Sequence, residues 1–74
     1  MTLTPLKDIR AANRSILEGR EIAIISGGDV LQLTKQHLDF ADEPTLTTKN
    51  IKEMFKQWCG LYVGWGWKYY LVEA

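Results

Sequence analysis

The segment that most constrains the fold of this chain is TKNIKEMFKQWC, residues 48–59. Apolar side chains recur there at intervals of three and four residues, a spacing that places them on one face of an α-helix. Thr47 or Thr48 can cap the first turn, and Gly60 stands where a left-handed residue commonly ends a helix. We therefore expect an amphipathic helix over 48–59 whose buried face consists of Ile51, Met54, Phe55 and Trp58.

The rest of the chain is only large enough to form one small core around that helix. The chain has 74 residues, so we expect a single domain over 1–74. A single cysteine excludes an intramolecular disulfide and favours a reducing, cytoplasmic location. No apolar run reaches the roughly 18 residues of a membrane span, and the N-terminus lacks the apolar stretch of a secretory signal. We expect neither a membrane partner nor a leader.

Proline and glycine divide the N-terminal part into short elements. Thr4 and Pro5 resemble a helix cap followed by proline at the first helical position. Gly19 can end that helix, so the pattern predicts a helix over 5–18. The isoleucine-rich sequence REIAII then predicts a strand over 20–25.

The sequence GGDVLQLT, which follows this strand, has two interpretations. It fits a hairpin turn with a returning strand, and it also fits a helix that Asp29 caps and Gln32 supports. We expect the helix, over 29–39, because the apolar pattern continues through KQHLDF. A connector over 41–48 separates it from the helix at 48–59.

The C-terminal stretch CGLYVGWGWKYYLV, residues 59–72, combines glycines with aromatic rings. Aromatic and β-branched runs lie on both sides of Gly64 and Gly66, and glycine supplies the positive φ that tight hairpin turns need. The stretch predicts a β-hairpin whose strands are 61–63 and 67–72, with Trp65 at its tip.

The predicted order is helix, strand, helix, helix and β-hairpin. A small α+β domain of this order resembles the winged-helix (winged helix-turn-helix) family over nearly the whole chain. The residues that carry the resemblance are the strand Ile22 to Ile25, the segment TTKNIKEMFKQWCGLY, the wing tip Gly64-Trp65-Gly66 and the strand WKYYLV. The resemblance implies a small transcriptional regulator or accessory factor without enzymatic activity. Its third helix would lie in the major groove of duplex DNA, and its wing would touch the DNA backbone or the minor groove.

The residues of this chain that match those positions form a candidate nucleic-acid-binding surface. Lysines at 49, 52 and 56 lie together on a helical wheel, opposite the apolar stripe, and would meet phosphates. Side-chain amides beside them match the donor and acceptor of an adenine edge, and hydroxyls at the helix start would meet a phosphate. The candidates are Thr47, Thr48, Lys49, Asn50, Lys52, Lys56 and Lys68, with Gln57 beside them.

The charge balance keeps a second class of function open. Nine basic and nine acidic side chains give a net charge of zero, whereas nucleic-acid-binding domains are usually basic. Residues 44–72 nevertheless hold four lysines and one acid. A solvated helix face explains the lysines equally well, because Glu53 can pair with them.

The alternative is a protein-interaction module, an adaptor or small inhibitor, that uses Trp65 and Tyr62 at the hairpin tip. Tryptophan is enriched in binding hot spots, although this ring could also fold back onto its neighbours. In either class a homodimer is possible. His37 stands alone without metal-ligand spacing, and SGGD lacks the residues of a phosphate-binding loop. We therefore expect no catalytic residue, metal, cofactor or small-molecule ligand.

Overall fold

A computed structural model of the chain describes residues 2–38, 45–60 and 66–73. The elements in chain order are β1 (Thr2–Leu6), α1 (Ile9–Leu17), β2 (Ile22–Ser26), β3 (Asp29–Leu33), a 3₁₀ helix (Lys35–Leu38), α2 (Thr48–Cys59) and β4 (Lys68–Glu73). The strands form one antiparallel sheet in the order β1-β4-β2-β3. The expected α+β class is confirmed, but the order of elements differs from the predicted one.

The central position of β4 corrects the predicted C-terminal hairpin. Along one edge β4 pairs with β1, and along the other it pairs with β2. β1 and β2 therefore run parallel with one strand between them, and α1 connects them as a split β-α-β unit. Over 69–71 both hydrogen-bonding edges of β4 are occupied, so β4 is a central strand and not the outer strand of a hairpin. Residues 61–65 lie outside the described part of the chain.

The N-terminal helix is shorter than the predicted 5–18. It begins at Ile9, because the Asp8 carboxylate accepts a hydrogen bond from the Ala11 N–H at 3.1 Å and caps the first turn. Thr4 and Pro5 belong to β1 instead. Proline is tolerated there because β1 is an edge strand. Only one of its two edges pairs with another strand, so the missing N–H of proline can fall on the unpaired edge.

The predicted helix over 29–39 is wrong, and the hairpin alternative is confirmed. β3 pairs with β2 from Ser26↔Asp29 to Ile22↔Leu33, across a two-residue turn in which Gly27 has a φ of +60°. Leu31 and Leu33 are buried while the residues between and before them are exposed or half-buried. This period of two lasts only five residues before the 3₁₀ helix begins. The 3₁₀ helix (Lys35–Leu38) explains why the helical spacing of apolar residues extends beyond β3.

Both helices pack on one face of the sheet. They form a single core whose members are Ala12, Ile16, Ile22, Ile24, Leu31, Leu33, Leu46, Ile51, Met54, Phe55 and Leu71. Leu46, which precedes α2, is fixed to α1 by a pair of hydrogen bonds. The Asn13 Nδ2 donates to the Leu46 carbonyl at 3.1 Å, and the Leu46 N–H donates to the Asn13 Oδ1 at 2.6 Å.

The opposite face of the sheet, which we call the open sheet face, carries mostly apolar side chains. By strand register it consists of Leu3, Pro5, Ala23, Ile25, Val30, Gln32, Lys68, Tyr70 and Val72. Leu3 is 38% exposed and Val30 is 48% exposed, whereas Ala23 is fully buried. Neither α1 nor α2 is long and apolar enough to span a membrane.

Candidate nucleic-acid interface

The predicted helix at 48–59 is confirmed with both of its ends, and its packing fixes which side meets solvent. Ile51, Met54 and Phe55 are buried in the core. Three lysines lie on the other side of α2, and we call Lys49, Lys52 and Lys56 the lysine face. At 3.6 residues per turn they fall within an arc of about 60°, and at 1.5 Å per residue they span about 10 Å along the helix.

The lysine face carries three positive charges beside one carboxylate, that of Glu53. Lys49 and Lys56 are exposed, and Lys52 is half-buried. Together with Glu53 they line a shallow cleft of about 230 Å³. Neither the three lysines nor Glu53 makes an ion pair or hydrogen bond within the described part of the chain. The ammonium groups are therefore free to bind anions from outside the protein.

Two predicted nucleic-acid contacts, Thr47 and Asn50, already have a structural role at the start of α2. The Asn50 N–H donates to the Thr47 hydroxyl at 3.1 Å, and the Thr47 N–H donates to the Asn50 Oδ1 at 2.8 Å. The Asn50 Nδ2 also donates to the Thr45 carbonyl at 3.0 Å. This is a capping box in which asparagine takes the place of glutamate or glutamine. The cap and a base edge would compete for the same amide group.

The other predicted contacts are divided between two sides of the molecule. Thr48 is exposed at the first residue of α2, beside the lysine face. Lys68 is also exposed, but it lies at the start of β4 on the open sheet face. The structure therefore does not bring Lys68 together with the lysine face. Trp65 and Tyr62 lie outside the described residues.

Trp58 differs from its predicted position in the core. It is 50% exposed, and its ring meets the ring of His37 edge-on with centroids 5.8 Å apart. The His37 Nδ1 accepts a hydrogen bond from the Thr34 N–H at 3.0 Å, so this histidine is held against the end of β3. A helical wheel gives the direction of each side chain but not how far the core extends along the helix.

Two aromatic residues, Tyr69 in β4 and Trp67 just before it, lie partly against the core. Trp67, Tyr69 and Tyr70 are all half-buried. The Trp67 Nε1 donates to the Tyr69 hydroxyl at 2.8 Å, and the ring of Trp67 lies 6.4 Å from that of Phe55. These contacts tie the start of β4 to the underside of α2.

Comparison with family models, with curated proteins and with solved structures gives no match to this chain. Arguments about its function therefore depend on its own residues. In the described ranges, no three His, Cys, Asp or Glu side chains are grouped so that they could hold a metal ion.

Proposed function

We propose that this protein binds duplex DNA through the lysine face of α2, as a small regulator or accessory factor. The observation that supports the proposal is a row of three cations on the solvent side of α2, none of which has an ion-pair partner among the described residues. One DNA strand presents a phosphate for roughly every 3.4 Å of duplex axis. Three ammonium groups spread over about 10 Å of α2 can therefore meet more than one phosphate of a strand.

The chemistry of this face suits phosphate binding better than base reading. Contacts between lysine and phosphate position a protein on DNA but carry no sequence information. Asn50 is engaged in the helix cap, so exposed Gln57 is the amide left to meet a base edge. Three cations and a net charge of zero favour weak binding, in the micromolar range or weaker at physiological salt.

The winged-helix relationship remains a hypothesis within this proposal. In that family the third helix meets DNA, and α2 is the corresponding helix here. The segment over 29–33, which would be part of the second helix, is a strand. The proposal therefore depends on the lysine face and not on the resemblance.

The location of binding can be tested by titrating ¹⁵N-labelled protein with a short duplex at low salt. We expect the amide signals of Lys49, Lys52, Glu53 and Lys56 to shift. The signals of the open sheet face should stay in place, because the sheet lies on the far side of the core. Shifts confined to the sheet, or no shifts, would contradict the proposal.

The open sheet face favours a second candidate function, self-association through a second copy of this chain. Exposed Leu3 and Val30 lie on a face whose charged side chain, Lys68, is at one end of β4. Two copies can therefore meet there without like charges facing each other at the centre of the contact. Four strands about 4.8 Å apart and about 17 Å long give a footprint smaller than that of a standard specific interface, so the dimer would be weak.

Sedimentation velocity over a range of protein concentrations tests this dimer. We expect the sedimentation coefficient to rise with concentration, and Val30→Glu to suppress the rise because it places a charge in the apolar contact. Gln57→Glu, on exposed α2, is the matched control and should leave self-association unchanged. A monomer at every concentration, or a dimer insensitive to Val30→Glu, would exclude this interface.

A further inference from the structure

A second basic site lies at the corner of the sheet where β1 ends and β4 begins. It is a cleft of about 280 Å³, lined by two lysines and three aromatic rings. We call it the basic aromatic cleft and define it by Lys7, Trp67, Lys68, Tyr69 and Tyr70. Its residues come from segments far apart in sequence that the β1–β4 pairing brings together.

The two lysines give this cleft a positive charge. The β1–β4 ladder ends at the pair Leu6↔Tyr69, and Lys7 and Lys68 are the next residue on each strand. Both are exposed, and neither makes an ion pair within the described part of the chain. The lining residues include no acid. Like charges on opposed strands repel each other, and a bound anion would relieve that repulsion.

The aromatic residues supply surfaces for a flat ring and one free donor. The Tyr69 hydroxyl accepts the hydrogen bond of the Trp67 Nε1 at 2.8 Å. Its own proton has no acceptor in the described ranges, so it can be donated to a ligand. The half-buried ring of Tyr70 lies on the open-face side of the same cleft. Stacking on an aromatic side chain suits any base, because every base has a π-face.

We propose that the basic aromatic cleft binds a nucleotide. Lys7 and Lys68 hold the phosphate, the base stacks on an aromatic ring, and the Tyr69 hydroxyl donates a hydrogen bond to the ligand. The volume of about 280 Å³ is at the small end of ligand pockets and suits a single nucleotide. The bound nucleotide is either a free nucleotide or an unpaired nucleotide within a single strand. This site departs from the expectation of no small-molecule ligand, and it is independent of duplex binding by α2.

The test is a set of amide and indole NMR titrations of the full chain. The ligands are adenosine 5′-monophosphate, adenosine, inorganic phosphate and an adenosine pentanucleotide. We expect the monophosphate to shift the Trp67 indole and the amides of Lys7, Lys68 and Tyr69. It should bind at least about tenfold more tightly than adenosine or phosphate, because only the nucleotide makes both kinds of contact. If the pentanucleotide binds more tightly than the monophosphate, the natural ligand is a single strand. If the monophosphate binds more tightly, the natural ligand is a free nucleotide.

Paired lysine variants locate the phosphate contact. Lys7→Gln with Lys68→Gln should weaken binding of the monophosphate by about tenfold or more, since the variant removes both charged partners of the phosphate. Lys52→Gln with Lys56→Gln removes the same charge from α2 and should leave this affinity unchanged. Equal losses in both pairs, phosphate binding as tight as that of the nucleotide, or no cleft shifts at millimolar ligand would each overturn the proposal. The wild-type titrations decide the matter even if a variant fails to fold.

Discussion

At the scale of single residues, polar side chains beside the core form hydrogen bonds that stabilise the ends of elements and the connections between them. Thr47 and Asn50 illustrate this, because their reciprocal hydrogen bonds satisfy N–H groups that the first turn of α2 would otherwise leave unpaired. The same hydroxyl and amide are the types that contact nucleic acid. Residue type alone therefore did not distinguish a cap from a DNA contact.

The cap can be tested with neighbouring threonines. Thr47→Ala should lower the free energy of unfolding by about 1 kcal/mol, because it removes the acceptor of the Asn50 N–H. Thr48→Ala, at the exposed next position, is the matched control and should change it by less than about 0.5 kcal/mol. Chemical denaturation measures both. Equal effects would show that Thr47 does not act as the cap.

Asn13 shows what sequence periodicity leaves out at this scale. It falls on the apolar stripe of α1, where a polar residue is unexpected. Its side chain bonds both backbone groups of Leu46, 33 residues away, and so attaches the segment before α2 to α1. That partner is far away in sequence, and no local pattern indicates it.

At the scale of elements, local signals predicted α2 well and the sheet poorly. The apolar stripe, the threonine cap and Gly60 with its φ of +68° all lie within one short segment and agree with each other. The pairing partners of β4 lie at opposite ends of the chain, in β1 and β2. Strand formation depends on such neighbours more than on intrinsic preference, so β1 was not predicted.

The strand assignment of β3 makes a prediction that the helical interpretation does not. Leu31→Ala should cost about 2–5 kcal/mol of stability, because Leu31 is 3% exposed and its loss leaves a cavity. Val30→Ala should cost under about 1 kcal/mol, since Val30 is 48% exposed on the other face. Thermal or chemical unfolding at low protein concentration compares the two. Similar costs would favour a helix in which both residues share one face.

At the scale of the whole molecule, the one-sided packing of two helices on a four-stranded sheet creates three surfaces, of which the open sheet face and the basic aromatic cleft share Lys68 and Tyr70. The lysine face lies on the helix side, the open sheet face on the other, and the basic aromatic cleft at a corner of the sheet. The sequence indicated the first through helical spacing. It could not indicate the other two, because both depend on which strands are neighbours. Although the net charge is zero, the lysine face and the basic aromatic cleft are each locally positive.

The measurement that tests the central claim most directly is the salt dependence of duplex binding. Fluorescence anisotropy of a labelled duplex would be recorded at several salt concentrations for the wild type and two double variants. Lys52→Ala with Lys56→Ala removes two cations of the lysine face. Arg10→Ala with Arg14→Ala removes two exposed cations of α1 and serves as the control.

If α2 binds the phosphates, the lysine pair weakens binding and lowers the slope of log K against log salt by about two. The arginine pair should leave that slope unchanged. An unchanged slope in the lysine variant, or an equal decrease in both variants, would contradict the assignment of duplex binding to α2.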